Sequence, residues 1–320
     1  MKKCKLLSFV IPCYRSEKTI ETVINEIIYV VSSRSEYDYE IIAVNDDSPD
    51  SVYQVLLELS KCNRRIKVIN LVKNMGKHAA VLAGYSFVEG DYVVNLDDDY
   101  QSPINNLWDL LNPLENGSAD VAIAKYIQKK ESLWKRIGSN INLRISEIML
   151  DKPKGMRFEN LSVMKRFVAE EMVKYRNPYP FLEGLILRVT KKIVVIPMEQ
   201  RDRGDNKSTG FTFWKSVSLF ANGFTNFSVK PIRIALIIGV LFAFVGFAYG
   251  VYIVVRRLAV QQAPMGWSSL MAVLLLATGL NMLLLGIIGE YVGRIFICIN
   301  DSPQYVVRNT INVLKDDANE

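Results

Sequence analysis

Short apolar runs alternate with amphipathic stretches through the first 130 residues. Leu6–Ile11, Glu40–Val44, Ile66–Leu71, Asp91–Leu96 and Val121–Ala124 are near-continuous apolar segments of strand length. Between them, Glu17–Val31, Val52–Lys61 and Lys77–Val88 carry apolar residues at helical spacing. This alternation predicts a mainly parallel sheet with helices on both faces. Ligands of such sheets gather beyond the carboxyl ends of the strands. Polar clusters stand at those places: Pro12-Cys13-Tyr14, Asn45-Asp46-Asp47-Ser48, Lys73-Asn74 and Asp97-Asp98-Asp99.

The pattern changes downstream. Residues 131–210 are mixed, with charged helices and a strand at Ile193–Ile196. Residues 211–230 hold Phe211, Phe213, Trp214, Val217, Phe220, Phe224 and Phe227, an amphipathic helix that lies in a membrane interface or packs on the preceding domain. Ile232–Val255 and Ser268–Ile288, roughly 24 and 21 residues long, are each long enough to cross a ~30 Å hydrocarbon core. The expected organisation is a polar domain over 1–210, an interface helix over 211–230, a transmembrane hairpin over 231–298 and a cytoplasmic tail over 299–320. Two spans put both chain ends on one side. Lys230, Arg233 and Arg294 on that side balance Arg256 and Arg257 on the other, so basic residues do not orient the hairpin. The short apolar run at the amino terminus does not make an export signal, which places the polar domain in the cytoplasm. Glu290 and Arg294 lie one helical turn apart, either as an i, i+4 pair or as part of a lipid-phosphate entrance.

Composition narrows the partners. Half the residues are hydrophobic and mean hydropathy is +0.13, in keeping with a membrane anchor. A net charge of +6 and a pI near 9.0 suit anionic lipids, phosphorylated substrates or nucleic acid, without choosing among them. Cys4, Cys13, Cys62 and Cys298 lack metal spacing and read as free thiols. The single histidine, His78, argues against a histidine metal site or a Ser-His-Asp triad. No G-x-G-x-x-G follows a strand, which argues against a dinucleotide oxidoreductase.

The acidic run within Asn95–Gln101 carries the strongest chemistry. Carboxylates clustered after a buried strand call for a compensating cation, unless the run is an exposed helix-capping turn. Hard oxygen donors suit Mg²⁺ or Mn²⁺, with substrate phosphates completing the coordination. At i and i+2 of an extended chain, Asp97 and Asp99 can face one site. An acid in Asn45–Asp50 can accept from a base or ribose, while Ser48 or Asp50 can cap the following helix.

Together these motifs resemble glycosyltransferase family 2, with its Rossmann-like GT-A fold, and within it the polyprenyl-phosphate glycosyltransferases. The matching pieces are Val10–Tyr14, Val44–Ser48, Lys73–Lys77 with Ala83-Gly84, Leu96–Pro103, Gly289–Arg294, Pro303 and Tyr305–Val307. The resemblance implies a nucleotide-sugar site of Pro12, Tyr14, Glu17, Asp46, Lys77, Asp97 and Asp98, with Asp46 on the base. It implies a Mg²⁺ or Mn²⁺ site at Asp97 and Asp99, and Gln101 near the sugar. Arg203, Lys207 and Ser208 would hold the lipid phosphate, with Arg203 counted among the catalytic residues beside Asp97, Asp99 and Gln101; a solvated loop is the alternative for the two cations. Three departures stand out: Asp47 where the family has glycine, Asn206 for a glycine, and Glu159-Asn160-Leu161-Ser162 where an acid and a Phe-Arg pair are expected.

The implied reaction moves a sugar from a nucleotide to an undecaprenyl or dolichyl phosphate, metal-dependent and inverting, for cell-envelope polysaccharide or lipid modification. The enzyme would be a multi-pass protein of the cytoplasmic (inner) membrane, without a nucleic acid partner and open to homo-oligomer formation. A lipid phosphate is already anionic and needs positioning more than a general base. The alternatives are a processive polysaccharide synthase, against which stands the lack of a Gln-x-x-Arg-Trp motif, and an inactive transferase-like membrane scaffold.

Overall fold

The computed structural model of the 320-residue chain describes residues 4–126, 144, 147, 152–153, 155–156, 158–178, 180–199, 201, 230–259, 266–300 and 303–313. The chain divides into two units, one of residues 1–217 with 301–320, the other of 218–300. Most of the expected 211–230 helix and much of 131–160 lie outside the described residues.

The first unit is built on one mixed sheet of order β7-β5-β6-β4-β1-β2-β3-β8. Its strands are β1 (Lys5–Cys13), β2 (Tyr37–Asn45), β3 (Ile66–Leu71), β4 (Tyr92–Asn95), β5 (Val121–Tyr126), β6 (Ser162–Lys165), β7 (Ile193–Met198) and β8 (Val307–Ile311). β1 runs parallel to β2 on one side and β4 on the other, so the strand order reverses direction at β1. Leu7, Phe9, Val10, Ile11 and Cys13 are all fully buried, which marks β1 as covered on both faces. Two strands had no clear apolar signature. β6 is antiparallel to both β4 and β5, and β8 is antiparallel to β3. Part of the stretch expected as a tail is therefore the edge strand of the sheet.

Pro12 shapes the opening between β1 and β4. Pairing of these strands ends at Val10 with Asn95, and Val10 O then accepts the Leu96 N–H. Two residues on, Pro12 turns the same way, where its missing N–H has no strand to serve.

The helices of this unit are α1 (Ile20–Ser32), α2 (Val52–Cys62), α3 (Lys77–Tyr85), α4 (Leu107–Glu115), α5 (Arg166–Val173) and α6 (Leu182–Val189) among the described residues. α1 buries Ile20, Val23, Ile24, Ile27, Val30 and Val31, one stripe at helical spacing. α3 is buried from Ala79 to Tyr85 and packs on β1 and β2. A methyl on Gly84 would lie 2.4 Å from Val10 Cγ1 and 3.2 Å from Val44 Cγ2, so only glycine permits this approach. The close seat fixes Lys77, the first residue of α3, at the carboxyl edge of the sheet.

A buried polar knot ties β1, β2 and β3 to the α3–β4 connection. Lys67 Nζ lies 2.7 Å from Glu40 and 2.6 Å from Glu89, with the Lys67 and Glu40 side chains 8% and 6% exposed. Glu40 also accepts the Glu89 N–H at 2.7 Å and the Ser8 hydroxyl.

The second unit contains α7 (Lys230–Ala259) and α8 (Trp267–Ile299). Ala235–Tyr252 and Leu276–Ile299 have mean hydropathies of 2.2 and 1.9, with 6% and 0% of those windows buried. Phe244, Phe247 and Leu285 are exposed, so the apolar surface is not consumed by protein packing. Both helices are long and apolar enough to cross a membrane. Glu290 and Arg294 both lie on α8, but the Arg294 side chain is outside the described residues.

Candidate active site

The crevice beside β1, at the reversal of strand order, is where an open α/β sheet binds its ligands. Loops after β1, β2, β3 and β4 meet there, and hydrogen bonds between them set each side chain's direction.

β4 ends at Asn95, so strand pleating does not extend to the acidic run. The expectation that an extended strand aims Asp97 and Asp99 together is replaced by a loop in which each acid has its own contacts. Asp97 Oδ1 lies 2.5 Å from Lys77 Nζ, and Asn160 Nδ2 donates to Asp97 Oδ2. Lys77 Nζ also donates to Asn160 Oδ1 at 2.7 Å, which closes a triangle. Asn95 Nδ2 donates to Asn160 O at 3.0 Å and anchors that triangle to the strand end. Asp99 Oδ1 accepts the Gln101 N–H at 3.2 Å across Tyr100, whose φ of 62° is left-handed. Asp98 points the other way. Its Oδ2 accepts the Tyr14 N–H at 3.0 Å and its carbonyl accepts the Thr19 hydroxyl at 2.5 Å. Burial pushes its carboxyl up to about 6, and the flanking Asp97 and Asp99 add to the rise. Asp98, expected at the nucleotide, is here a brace for the β1–α1 loop.

Asp46 also faces inward. It is 3% exposed, and its two oxygens accept the Met75 N–H at 2.7 Å and the Gly76 N–H at 2.9 Å. Burial raises its carboxyl despite those two donors. The expected base contact is thus, in this structure, a clamp on the loop before α3. Its neighbour Asp47 is exposed with φ 49°, a left-handed backbone state that suits glycine and that aspartate tolerates.

The β1 and β2 loops are laced together. Ser48 Oγ accepts the Arg15 N–H at 2.7 Å and donates to Asp50 Oδ1 at 2.6 Å. Asp50 Oδ2 accepts the Glu17 N–H and Glu17 Oε2 accepts the Ser51 N–H, both at 3.0 Å. Burial opposes ionisation of Asp50, but hydrogen bonds from Ser48, Glu17 and Val52 hold its carboxyl below the usual range. Tyr14 remains 42% exposed, with the Arg15 guanidinium 5.4 Å from its ring centre.

Three features had no sequence signal. An amide ladder crosses three strands: Asn45 Nδ2 donates to Asn70 at 2.8 Å, Asn70 Nδ2 to Asn309 at 3.0 Å, and Asn309 Nδ2 to the Tyr53 hydroxyl at 2.7 Å. Arg201 forks onto Glu26 at 2.7 and 2.5 Å and lies 4.9 Å from the Tyr100 ring centre. Asn160 joins Asp97 and Lys77 from the segment just before β6. Neutral amides carry no charge signature, and partners far apart in sequence leave no local pattern.

Pro12, Tyr14, Glu17, Asp46, Lys77, Asp97, Asp98, Asp99 and Gln101 thus belong to the loops and strand ends of one sheet edge. Arg203, Lys207 and Ser208 lie outside the described residues. The donor chemistry fits a hard divalent cation. Asp97 and Asp99 supply only oxygens, and no group of three or more His, Cys, Asp or Glu gathers as a cage among the described residues. Mg²⁺ and similar ions use one or two carboxylates and leave further positions to phosphate and water. His78 is engaged elsewhere: its Nδ1 accepts the Leu182 N–H at 3.4 Å, and burial lowers its pKa to about 4.

The architecture matches a GT-A glycosyltransferase. Glucosyl-3-phosphoglycerate synthase from Mycobacterium tuberculosis, solved with UDP and also with Mn²⁺, UDP-glucose and phosphoglyceric acid, superposes with a TM-score of 0.51. Each comparison covers 69% of this chain and 78% of that one at 16% identity, a likeness of fold. The glycosyl transferase family 2 profile matches residues 8–173, and the GtrB C-terminal hairpin profile matches residues 230–295. The chain belongs to glycosyl transferase family 2. It is 30% identical to the uncharacterised glycosyltransferase YkcC of Bacillus subtilis (strain 168), over 96% of this chain and 94% of that one. It is 26% identical to an undecaprenyl-phosphate 4-deoxy-4-formamido-L-arabinose transferase of Photorhabdus laumondii, over 100% and 98% of the two chains. It is 26% identical to a prophage bactoprenol glucosyl transferase homologue of Escherichia coli (strain K12), over 94% and 98%.

Proposed function

We propose that this enzyme transfers a sugar from a nucleotide-sugar donor to a polyprenyl phosphate at the cytoplasmic face of a membrane, by a metal-dependent, inverting displacement. The observation that carries this reading is the acidic loop Asp97–Asp99 at the β1 crevice, in a chain whose other unit is an apolar hairpin. Relatives named for undecaprenyl-phosphate and bactoprenol transfer support the lipid acceptor. The Mn²⁺ complex of a protein sharing the fold supports a divalent ion.

In this reading, Asn160 orients Asp97, while Asp46 holds the loop before α3. Asp98 and Ser48 hold the β1 loop that presents Tyr14. A divalent ion on Asp97 and Asp99 would stabilise charge on the departing diphosphate. The anionic acceptor attacks the anomeric carbon from the opposite side and needs no general base. Arg203, Lys207 and Ser208 are proposed to receive its phosphate. The pairing of β8, which follows the hairpin, with β3, which precedes it, supports an anchor that leaves and re-enters on one side of the membrane. Two crossings, α7 and α8, satisfy that requirement.

The test uses full-length protein in detergent with undecaprenyl or dolichyl phosphate, Mg²⁺ or Mn²⁺, and a panel of UDP- and GDP-sugars. A sugar-phospholipid is the expected product, and Asp97→Asn lowers its rate about 10²-fold or more. Absence of product with every donor, or an unchanged rate in the variant, refutes the reading.

A further inference from the structure

The contact between Lys77 and Asp97 has a consequence for how the site is loaded. Lys77 Nζ stands 2.5 Å from Asp97 Oδ1, and Asn160 donates to the other oxygen of the same carboxylate. Asn160 Oδ1 in turn accepts from Lys77 at 2.7 Å, so the amide holds acid and ammonium together. A divalent ion binds a carboxylate oxygen at about 2.0–2.2 Å. On Asp97 Oδ1, it would stand within about 4.6 Å of the ammonium, in strong repulsion.

The two ends of Lys77 differ in freedom. Its backbone opens α3, where Ala79 and Ala80 are buried and Asp46 grips the preceding Met75 and Gly76 N–H groups. Its side chain is 38% exposed, at the mouth of the site, while that of Asp97 is 16% exposed. A compact charge on a flexible four-carbon stem can leave the carboxylate without moving the helix.

We propose that Lys77 is a resident counter-cation for Asp97, held by Asn160, which a divalent ion must displace and which then pairs with the anionic diphosphate that accompanies the ion. This rests on the metal-dependent reading above and adds an order of loading to it: metal alone binds weakly, and metal with diphosphate binds well, because the diphosphate receives the displaced ammonium. Coupling of this kind is reciprocal between the two ligands.

The experiment measures Mn²⁺ binding to the full-length protein in detergent by the free-Mn²⁺ electron paramagnetic resonance signal, alone and with UDP or GDP. Lys77→Gln is expected to tighten binding of Mn²⁺ alone about tenfold and to shrink the further gain from nucleotide. Lys77→Arg, which keeps the charge, stays within about threefold of the parent protein. Adding Asp97→Asn to Lys77→Gln abolishes the gain, which shows that it passes through Asp97. Equal or weaker Mn²⁺ affinity in Lys77→Gln, with nucleotide-dependent Mn²⁺ binding intact in the parent protein, overturns this inference alone. No Mn²⁺ binding by any form, with or without either nucleotide, overturns both the inference and the metal reading beneath it.

Discussion

His78 is the chain's only histidine, which makes its protonation separable from every other imidazole effect. It sits on α3 beside Lys77, 5.7 Å from the Phe181 ring centre, with Nδ1 accepting the Leu182 N–H. Burial lowers its pKa from 6.5 to about 4, and the neighbouring Lys77 charge adds to the effect. Between those two values the unfolded chain holds a proton that the folded chain lacks. Stability from this residue is therefore complete above pH 6.5 and is lost as pH falls toward 4. Linkage gives a loss of about 2 kcal/mol between pH 7 and pH 5. For a domain of this size that is a fall of about 4–8 °C in Tm. Asp98 and Glu183 act in the opposite sense, since burial raises both. The measurement is accordingly the difference between the parent protein and His78→Asn, whose amide oxygen keeps an acceptor but does not titrate. Thermal melts at half-unit pH steps should show the parent losing stability faster, and proton NMR should show one imidazole resonance still neutral at pH 5. Parallel melts for the two proteins, or an imidazole that titrates near 6.5, would refute the reasoning.

Other perturbations test separate parts of the fold. Lys67→Met strands the buried Glu40 carboxylate and should cost about 3–5 kcal/mol; adding Glu40→Gln, which keeps the acceptor without the charge, should recover most of it in urea melts. Asp47→Gly should be neutral or slightly stabilising, because φ is 49° there, whereas Asp47→Val should cost about 1–2 kcal/mol by the same assay. Asn309→Ala removes the last donor of the amide ladder, leaves Asn70 short of an acceptor, and should lower stability by about 1 kcal/mol or more. Unchanged stability in that variant would mean that water replaces the ladder at no cost.

Strands covered on both faces were legible because burial leaves continuous apolar runs: Ile66–Leu71 was read to the residue, and β1 and β2 within a few positions. β6 is only Ser-Val-Met-Lys, too short for periodicity to register. β8 sets Arg308, Asn309 and Thr310 in a row between Val307 and Ile311, the polar composition of an edge strand. The candidate site was legible to the extent that polar clusters follow the apolar runs, which is how the sequence places Tyr14, Asp46 and the acidic loop at one edge of the sheet. Which member of each acidic pair turns inward was not legible. Asp46 and Asp98 point in because backbone N–H groups of Met75, Gly76 and Tyr14 await them, and tertiary folding alone brings those donors close. Asn160 and Arg201 were missed for the same reason, since both act on residues more than fifty positions away.

The place of β8 in the chain sets an order on biosynthesis. A ribosome delivers Val307–Ile311 only after both long apolar helices have left its tunnel, so the outer edge of β3 stays bare throughout their emergence. A nascent chain halted before this strand would present unpaired backbone groups and an unanswered Asn70, an adhesive edge of the kind that chaperones retain. Completion of the sheet is thereby postponed until both long helices have been made.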